Sequence, residues 1–233
     1  MARKDRKKIF NLQNRSLISL TSPKSPIAEQ FRTIRTNIQF SSADKEIRTI
    51  IVTSAGPGEG KSTNTANIAV VFAQQGKRVL LIDADLRKPT VHYTFRTENH
   101  IGVSNVLTKQ ASLEESYTAT AQEKLFVLSS GPIPPNPSEL LASRGMQVLI
   151  ENAKEEFDII IIDSPPVLAV TDAQILSNLA DGVVLVVGSG KTEIDAAKKA
   201  KELLVSANAK ILGAVLNNKK QEESQYYYYY GGK

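Results

Sequence analysis

The segment that most constrains the fold of this chain is a glycine-rich loop between an apolar stretch and a helix-forming stretch. Residues 48–54 are mostly apolar and β-branched and predict a strand, and residues 55–63 then read AGPGEGKST. Glycines in such a loop let backbone N–H groups converge on phosphate oxygens at a helix N-terminus, where the helix dipole favours anions. A strand, a Gly-Lys-Ser turn and a helix in this order predict a P-loop.

In a P-loop the lysine reaches the β- and γ-phosphates and the following hydroxyl ligates Mg²⁺, which predicts these roles for Lys61 and Ser62. Ala55 stands where the simplest pattern has a first glycine. A dinucleotide-binding loop is the alternative, but Lys61 falls inside the glycine pattern and no isolated acid ends the second strand. The loop therefore predicts nucleoside triphosphate binding.

Two further apolar runs end in acidic residues. Residues 159–162 are four isoleucines followed by Asp163, the Walker-B pattern that delivers a carboxylate to the Mg²⁺ side of the site. A core strand with an ordinary terminal aspartate is the alternative interpretation. The run at 79–82 is followed by Asp83, Asp85 and Arg87, and strand alternation would place the two carboxylates on one side. Two carboxylates and an arginine at a strand end indicate a base together with a metal helper.

Strands and helices alternate along the chain. Ser25-Pro26 is a helix start, with Ser25 as N-cap, and the other predicted helices run from the P-loop to about residue 75 and over 146–156, 172–179 and 192–207. Predicted strands cover 48–54, 78–83, 125–128, 157–163, 183–187 and 211–217. Nearly continuous apolar strands predict an α/β P-loop NTPase, a single domain whose mostly parallel sheet has helices on both faces. We expect the domain at 25–218, a basic then Ser/Thr/Pro-rich tail at 1–24, and a tyrosine-rich tail at 219–233.

The composition of the chain limits the kinds of site and partner that we expect. The chain has no cysteine, which excludes disulfides, thiol nucleophiles and zinc–thiolate sites. The whole net charge of +5 lies in residues 1–15, because the rest of the chain has 23 basic and 23 acidic residues. A solvated tail is the simplest interpretation, weak attraction to an anionic membrane is the alternative, and we expect no nucleic-acid partner. No apolar run nears ~20 residues and no secretory signal is evident, so we expect a cytoplasmic protein that a partner recruits to the membrane.

Five of the seven tyrosines form one run near the C-terminus. Neither helix nor strand periodicity could turn five consecutive aromatic residues inward, so no packed core requires the run. Its neighbours are polar residues and glycines, which favour a solvated tail. The run therefore resembles a substrate, and the candidate phosphorylation sites are Tyr226, Tyr227, Tyr228, Tyr229 and Tyr230.

This combination resembles the bacterial tyrosine kinases, in particular the soluble cytoplasmic kinases of Gram-positive capsule and exopolysaccharide systems. The similar pieces are the loop at 55–62, the Asp83-x-Asp85-x-Arg87 strand end, the run ending at Asp163, a proline-rich block at 131–141 and the tyrosine tail. The resemblance covers about residues 20–233. It implies an ATP- and Mg²⁺-dependent protein-tyrosine kinase that autophosphorylates its tail and regulates polysaccharide synthesis or export.

The resemblance also implies residue roles. Lys61, Asp83, Asp85 and Arg87 would be catalytic, with Asp83 the candidate base, and Ser62, Asp83 and Asp163 would hold the metal. Asn217, at the end of the last predicted strand, would contact the adenine. The expected ATP site comprises Gly56, Pro57, Gly58, Glu59, Gly60, Lys61, Ser62, Thr63 and Asn217.

Partners follow from the same resemblance. Glu29-x-x-Arg32-x-x-Arg35 matches a motif for ring-like self-assembly, although a helix with local salt bridges is the simpler alternative. The tail of a membrane protein would activate the kinase, and a phosphotyrosine phosphatase would reverse it. Two other functions stay open: a ParA/MinD-like ATPase switch, although Gly56 stands where that class has a second lysine, and a nucleotide-gated assembly protein for polysaccharide export.

Overall fold

The computed structural model of the chain describes residues 17–42 and 46–219. The basic residues 1–15 and the candidate phosphorylation sites Tyr226 to Tyr230 lie outside the described residues. Within residues 17–42 and 46–219, no helix combines the length and the hydropathy that a bilayer span requires.

Seven strands of the described chain form one sheet in the order β3-β4-β2-β5-β1-β6-β7. All neighbours pair in parallel except β3 and β4. The strands are β1 Thr49–Ser54, β2 Val79–Asp83, β3 Tyr117–Ala119, β4 Leu125–Leu128, β5 Ile159–Asp163, β6 Gly182–Gly188 and β7 Ile211–Asn217. The helices are α1 Ile18–Thr21, α2 Pro26–Phe40, α3 Lys61–Gln74, α4 Val91–Phe95, α5 Val103–Leu107, α6 Pro137–Ala142, α7 Arg144–Glu156, α8 Asp172–Ser177 and α9 Ile194–Ser206.

Helices cover both faces of the sheet, as the apolar strand pattern predicts. Every residue of β1, β2 and β5 is buried, and side chains that alternate between two faces need a hydrophobic layer on each. One core cluster contains residues of α2 and α3, and the other contains residues of α5 to α9. The predicted fold class is confirmed.

The strand order brings the P-loop after β1 and the acidic ends of β2 and β5 together at the carboxyl edge of the sheet. β1 lies between β5 and β6, and β5 lies between β1 and β2, so the carboxyl ends of these parallel strands are neighbours. Asp83 at the end of β2 is in register with Asp163 at the end of β5. Ligands of open α/β sheets bind beyond the carboxyl ends of the strands, which is where the P-loop lies.

The structure adds five elements that the sequence patterns did not predict: the short helices α1, α4, α5 and α6, and the strand β3. Helix α1 falls within the expected tail at 1–24 but packs on α3: Asn67 accepts the Ser19 N–H at 2.9 Å and Gln74 donates to the Ser19 carbonyl at 2.9 Å. Three partly buried apolar side chains explain this packing: Leu17, Ile18 and Leu20. Strand β3 is an antiparallel edge strand of three residues, too short for a readable alternation.

Helix α2 starts as predicted. The Ser25 side chain accepts the Ala28 N–H at 3.2 Å, and Pro26 is the first helical residue.

Candidate active site

The P-loop is braced by its own glutamate. The carboxylate of Glu59 accepts the N–H groups of Ala55 at 3.2 Å and Gly56 at 2.9 Å, so it closes the start of the loop. Glu59 is almost fully buried, which makes these bonds hard for water to replace. The loop therefore keeps its shape through internal hydrogen bonds.

Two neighbouring segments hold the outer carbonyls of the same loop. Lys191, in the turn between β6 and α9, donates to the Gly58 carbonyl at 2.7 Å. Asn217, the last residue of β7, donates to the Glu59 carbonyl at 2.9 Å. A side chain at Gly60 would overlap the Asn217 amide, and Gly60 has a φ of +93°, so this position requires glycine.

At the start of α3, Lys61 lies between two carboxylates. Its Nζ is 3.0 Å from Asp85 Oδ2 and 3.3 Å from Asp163 Oδ2. The Ser62 hydroxyl lies 3.2 Å from the same ammonium, and Thr65 donates to Asp163 Oδ1 at 3.2 Å. We call these five residues the Lys61 cluster. The structure thus brings together Lys61, Ser62, Asp85 and Asp163, and the roles assigned to them from the sequence stay predictions.

The charges of this cluster depend on one another. Burial opposes the charge on Lys61, but the carboxylates of Asp163 and Asp85 outweigh burial and raise the pKa of the ammonium. Burial also raises the pKa of Asp163, against the opposing effect of Lys61. An ammonium enclosed in this way stays charged and can transfer its contacts to phosphate oxygens.

Asp83 lies beside the cluster and is fully buried. Its Oδ2 accepts the N–H groups of Thr90 and Val91, each at 2.9 Å, and its Oδ1 accepts the Asp85 N–H at 3.3 Å. Burial, followed by the nearby charge of Asp163, raises its pKa to about 7. A carboxyl group with this pKa exchanges a proton readily near neutral pH.

Arg87 binds residues outside the Lys61 cluster. Its guanidinium binds the buried carboxylate of Asp172, with Nε 3.0 Å from Oδ2, and its Nη2 donates to Ser138 at 2.7 Å. Arg87, which the sequence predicts as catalytic, thus binds side chains of α6 and α8. Of the two aspartates in the same motif, Asp85 belongs to the Lys61 cluster and Asp83 lies beside it.

The helical motif of α2 is engaged within its own chain. Arg32 pairs with Glu29 at 2.6 Å, whereas Arg35 donates to the Val71 carbonyl of α3 at 2.9 Å. Val71 is ten residues along α3 from Lys61, or about 15 Å of helix. Glu29, Arg32 and Arg35 therefore lie apart from the P-loop.

Several residues that contact the predicted site residues were not assigned a role from the sequence, among them Thr65, Ser138, Asp172 and Lys191. Lys191 had one usable signal, since it follows the buried strand β6 at the same sheet edge as the other site residues. Ser138 and Asp172 begin short helices and carry no local mark of their contact with Arg87.

The donor set fits a magnesium–nucleotide complex. Within the described residues, no group of three or more histidine, cysteine, aspartate or glutamate side chains is arranged to hold a metal ion alone. Mg²⁺ binds through one or two carboxylates together with substrate phosphates and water, and does not need such a cage. The hydroxyl of Ser62 and the carboxylate of Asp163, both around the Lys61 ammonium, supply oxygen ligands of that kind.

The fold and this site define a P-loop nucleotide-binding protein of the α/β class. A family model described as an AAA domain matches residues 47–210. The solved structure of the septum site-determining protein MinD of Pyrococcus horikoshii OT3, complexed with Mg-ADP, is similar with a TM-score of 0.64 and 28% identity, covering 76% of this chain and 72% of that one.

Other relatives are more similar. The tyrosine-protein kinase YwqD of Bacillus subtilis (strain 168) is 56% identical over 212 residues, which are 91% of this chain and 90% of the relative. The tyrosine-protein kinase CpsD of Streptococcus agalactiae serotype III (strain NEM316) is 42% identical over 190 residues, 81% of each chain. The crystal structure of the chimerical protein CapA2B2 has a TM-score of 0.86 and 47% identity, covering 88% of this chain and 90% of that one. The chain therefore belongs to the bacterial tyrosine-protein kinases, and the predicted resemblance and enzyme class are confirmed.

Proposed function

We propose that this kinase transfers the γ-phosphoryl group of ATP to the tyrosines at 226–230 of its own C-terminal tail. The observation that carries the proposal is the Lys61 ammonium, held at the P-loop between Asp85 and Asp163 beside a carboxyl group, Asp83, with a pKa of about 7. Phosphoryl transfer needs mainly charge stabilisation and alignment, and a weak base suffices.

Each side chain has a role in this proposal. Lys61 turns from Asp85 to the β- and γ-phosphates when the nucleotide binds, and the P-loop backbone orients the phosphate chain. Ser62 and Asp163, with Asp83 beside them, would hold Mg²⁺, which neutralises charge on the phosphates when bound. Asn217, which is already at the loop, lies where it can contact the adenine.

Two carboxylates are candidates to accept the tyrosine proton. Asp83 has a suitable pKa, and since Thr90 and Val91 both donate to its Oδ2, the proton would go to Oδ1, which accepts the longer bond from the Asp85 N–H. Asp85 becomes available once Lys61 leaves its Oδ2. We assign the base to Asp83. Loss of the acidic limb of the pH–rate profile in Asp83→Asn, but not in Asp85→Asn, would support this assignment, and the reverse result would move the role to Asp85.

The tail can reach the site. β7 ends at Asn217, whose amide binds the P-loop, so the described chain leaves the sheet at the nucleotide edge. The nine residues from Asn217 to Tyr226 span at most ~30 Å when extended, which allows transfer within one chain or to a neighbour. We propose transfer to a neighbour within a ring assembled through Glu29, Arg32 and Arg35, because a ring raises the effective concentration of each tail at the next site.

Phosphorylation then controls assembly in this proposal. Each phosphotyrosine adds about −1.5 to −2 charge at pH 7, so a modified tail resists re-entering a site that holds ATP phosphates, and the ring loosens. The tail of a membrane protein activates the kinase, a phosphatase resets it, and the cycle regulates capsular or exopolysaccharide synthesis or export. Size-exclusion chromatography before and after ATP treatment tests this step, and an unchanged assembly contradicts it.

Mass spectrometry of the purified protein with Mg²⁺-ATP, with and without the tail of a candidate membrane partner, tests the activity. We expect phosphate on the tail tyrosines of the wild type and none on Lys61→Met. The MinD-like alternative, which the shared fold favours, predicts ATP hydrolysis without phosphotyrosine. The assembly-protein alternative predicts that Lys61→Met keeps control of export as long as the variant still binds nucleotide.

A further inference from the structure

Arg87, Asp172 and Ser138 form a closed set of hydrogen bonds that we call the Arg87 network. The guanidinium binds Asp172 through two bonds, Nε to Oδ2 at 3.0 Å and Nη2 to Oδ1 at 3.2 Å. The Ser138 hydroxyl donates to Asp172 Oδ1 at 2.7 Å and accepts from Arg87 Nη2 at 2.7 Å. The three residues come from three segments: the turn after β2, the start of α8 and the start of α6.

The network has the properties of a fixed connection. The Asp172 side chain is fully buried, and that of Arg87 is 37% exposed. A buried carboxylate without partners is costly, and a bidentate guanidinium with a hydroxyl satisfies it with a defined geometry. The hydrogen bond with Asp172 is also the main cause that raises the pKa of Arg87.

Arg87 lies inside the turn that directs Asp85. The Lys88 N–H donates to Asp85 Oδ1 at 3.0 Å and so encloses residues 86 and 87. The other oxygen of Asp85 is the one that contacts Lys61 at 3.0 Å. Holding Arg87 in place therefore holds the turn, and the turn sets the direction of the Asp85 carboxylate.

The same contacts give a role to the proline-rich block at 131–141. Asn99 accepts the Gly131 N–H at 2.9 Å, which fixes the start of the block, and Pro137 begins α6. The next residue, Ser138, is thereby presented to Asp172. The block is thus connected to the turn after β2 through one hydroxyl.

We propose that Asp172 and Ser138 are positioning residues for phosphoryl transfer: acting through Arg87, they hold the turn after β2 and so keep the Asp85 carboxylate at the nucleotide site, beside Lys61. The inference deepens the proposed function and takes its reaction from it. Because Asp85 competes with the phosphates for Lys61, loss of this positioning should lower the rate of transfer without weakening nucleotide binding.

Asp172→Asn and Ser138→Ala, each made alone and in an Arg87→Ala background, test the inference. We expect each single variant to lower the single-turnover rate of phosphotyrosine formation, Asp172→Asn by at least about tenfold, with a Kd for ATP no more than about twofold above that of the wild type. In the Arg87→Ala background neither change should lower the rate further, because the connecting residue is absent. Single-turnover conditions are used because they allow the low transfer rates of the double variants to be measured.

Glu156→Gln is the matched control for stability. Glu156 accepts the Tyr117 hydroxyl at 2.9 Å and pairs with Arg78 at 3.5 Å, but it precedes β5 and lies at the opposite edge of the sheet. We expect it to lower the melting temperature without changing the transfer rate. If Asp172→Asn does not fold, the transfer rate of Ser138→Ala, with and without Arg87, tests the inference.

Two results overturn the inference: an unchanged transfer rate in the folded single variants, or a rate loss of equal size with and without Arg87. A wild type that forms no phosphotyrosine contradicts the proposed function instead. The same variants would then be compared by their rates of ADP release, and the same two results would count against the network.

Discussion

Lys61 Nζ lies 3.0 Å from Asp85 Oδ2, so the lysine of the P-loop is paired with a carboxylate of the turn after β2. A nucleotide must draw the ammonium away from this carboxylate, since the phosphates need the same positive charge. We therefore expect Asp85 both to keep the lysine at the site and to compete with the ligand for it.

Asp85→Asn should strengthen binding of ADP in the absence of Mg²⁺. The substitution removes a negative charge beside the phosphate site and frees part of the Lys61 charge, and we expect about three- to tenfold tighter binding. Tyrosine phosphorylation should fall in the same variant. Isothermal titration calorimetry in EDTA measures the affinity. Asp158→Asn is the control, because Asp158 precedes β5 and so lies at the edge of the sheet opposite the nucleotide site. Equal or weaker binding by Asp85→Asn would contradict the competition.

Asp83 should make the stability of the nucleotide-free protein depend on pH. Its pKa is raised from 3.8 to about 7 in the folded state, mainly by burial. The folded state therefore holds this proton more tightly than the unfolded chain does, and the contribution to stability is greatest below pH 4 and is lost as the pH rises towards 7.

Asp83→Asn removes this titration and retains an oxygen that can accept the bonds from Thr90 and Val91. Relative to wild type, its free energy of unfolding should rise between pH 5 and pH 8 by more than about 1 kcal/mol. Urea denaturation at both pH values, without nucleotide or Mg²⁺, measures the difference. A difference that stays constant or falls shows that Asp83 does not carry this dependence.

Lys191→Ala should weaken ATP binding although the residue lies outside the P-loop. The change removes the bond to the Gly58 carbonyl, and one hydrogen bond of about 0.5–1.5 kcal/mol corresponds to about two- to tenfold in affinity. Lys198→Ala is the control, because Lys198 is an exposed lysine of α9 that pairs with Asp195. Fluorescent ATP titration compares the two, and equal affinities would exclude a brace by Lys191.

Alanine variants of Arg35 and Arg32 should distinguish a role in packing within one chain from a role in assembly between chains. Arg35→Ala removes a bond to the Val71 carbonyl and should lower the free energy of unfolding by about 1–2 kcal/mol. Arg32→Ala breaks an exposed pair with Glu29 and an exposed hydrogen bond to the Pro23 carbonyl, and should cost less, about 1 kcal/mol at most. Chemical denaturation gives the stabilities, and light scattering gives the assembly.

If the α2 motif forms a ring interface, both arginine variants should lose the ring, but Arg35→Ala should lose more stability as a monomer. Equal destabilisation by the two variants would show that the packing of Arg35 on α3 is not special. A ring that survives both changes would leave the motif with a role inside one chain.

The class of fold and the main residues of the site follow from local patterns. The P-loop has glycines, a lysine and a hydroxyl within a few positions, and Asp83 and Asp163 end runs of apolar residues. Strand and helix periodicities act over short distances, so the sequence alone indicates a parallel sheet with these residues at one edge. The pairing of Asp85 and Asp163 with Lys61 agrees with that expectation.

Tertiary structure alone decided how the site is held. Lys191 reaches Gly58 across 133 positions of sequence, and Asp172 reaches Arg87 across 85. Such contacts depend on which loops the strand order brings together, and an isolated lysine or aspartate at a helix start carries no sign of its distant partner. For the same reason Arg87, which the motif predicts as part of the catalytic group, turns to Asp172, because a buried carboxylate there requires a charged partner.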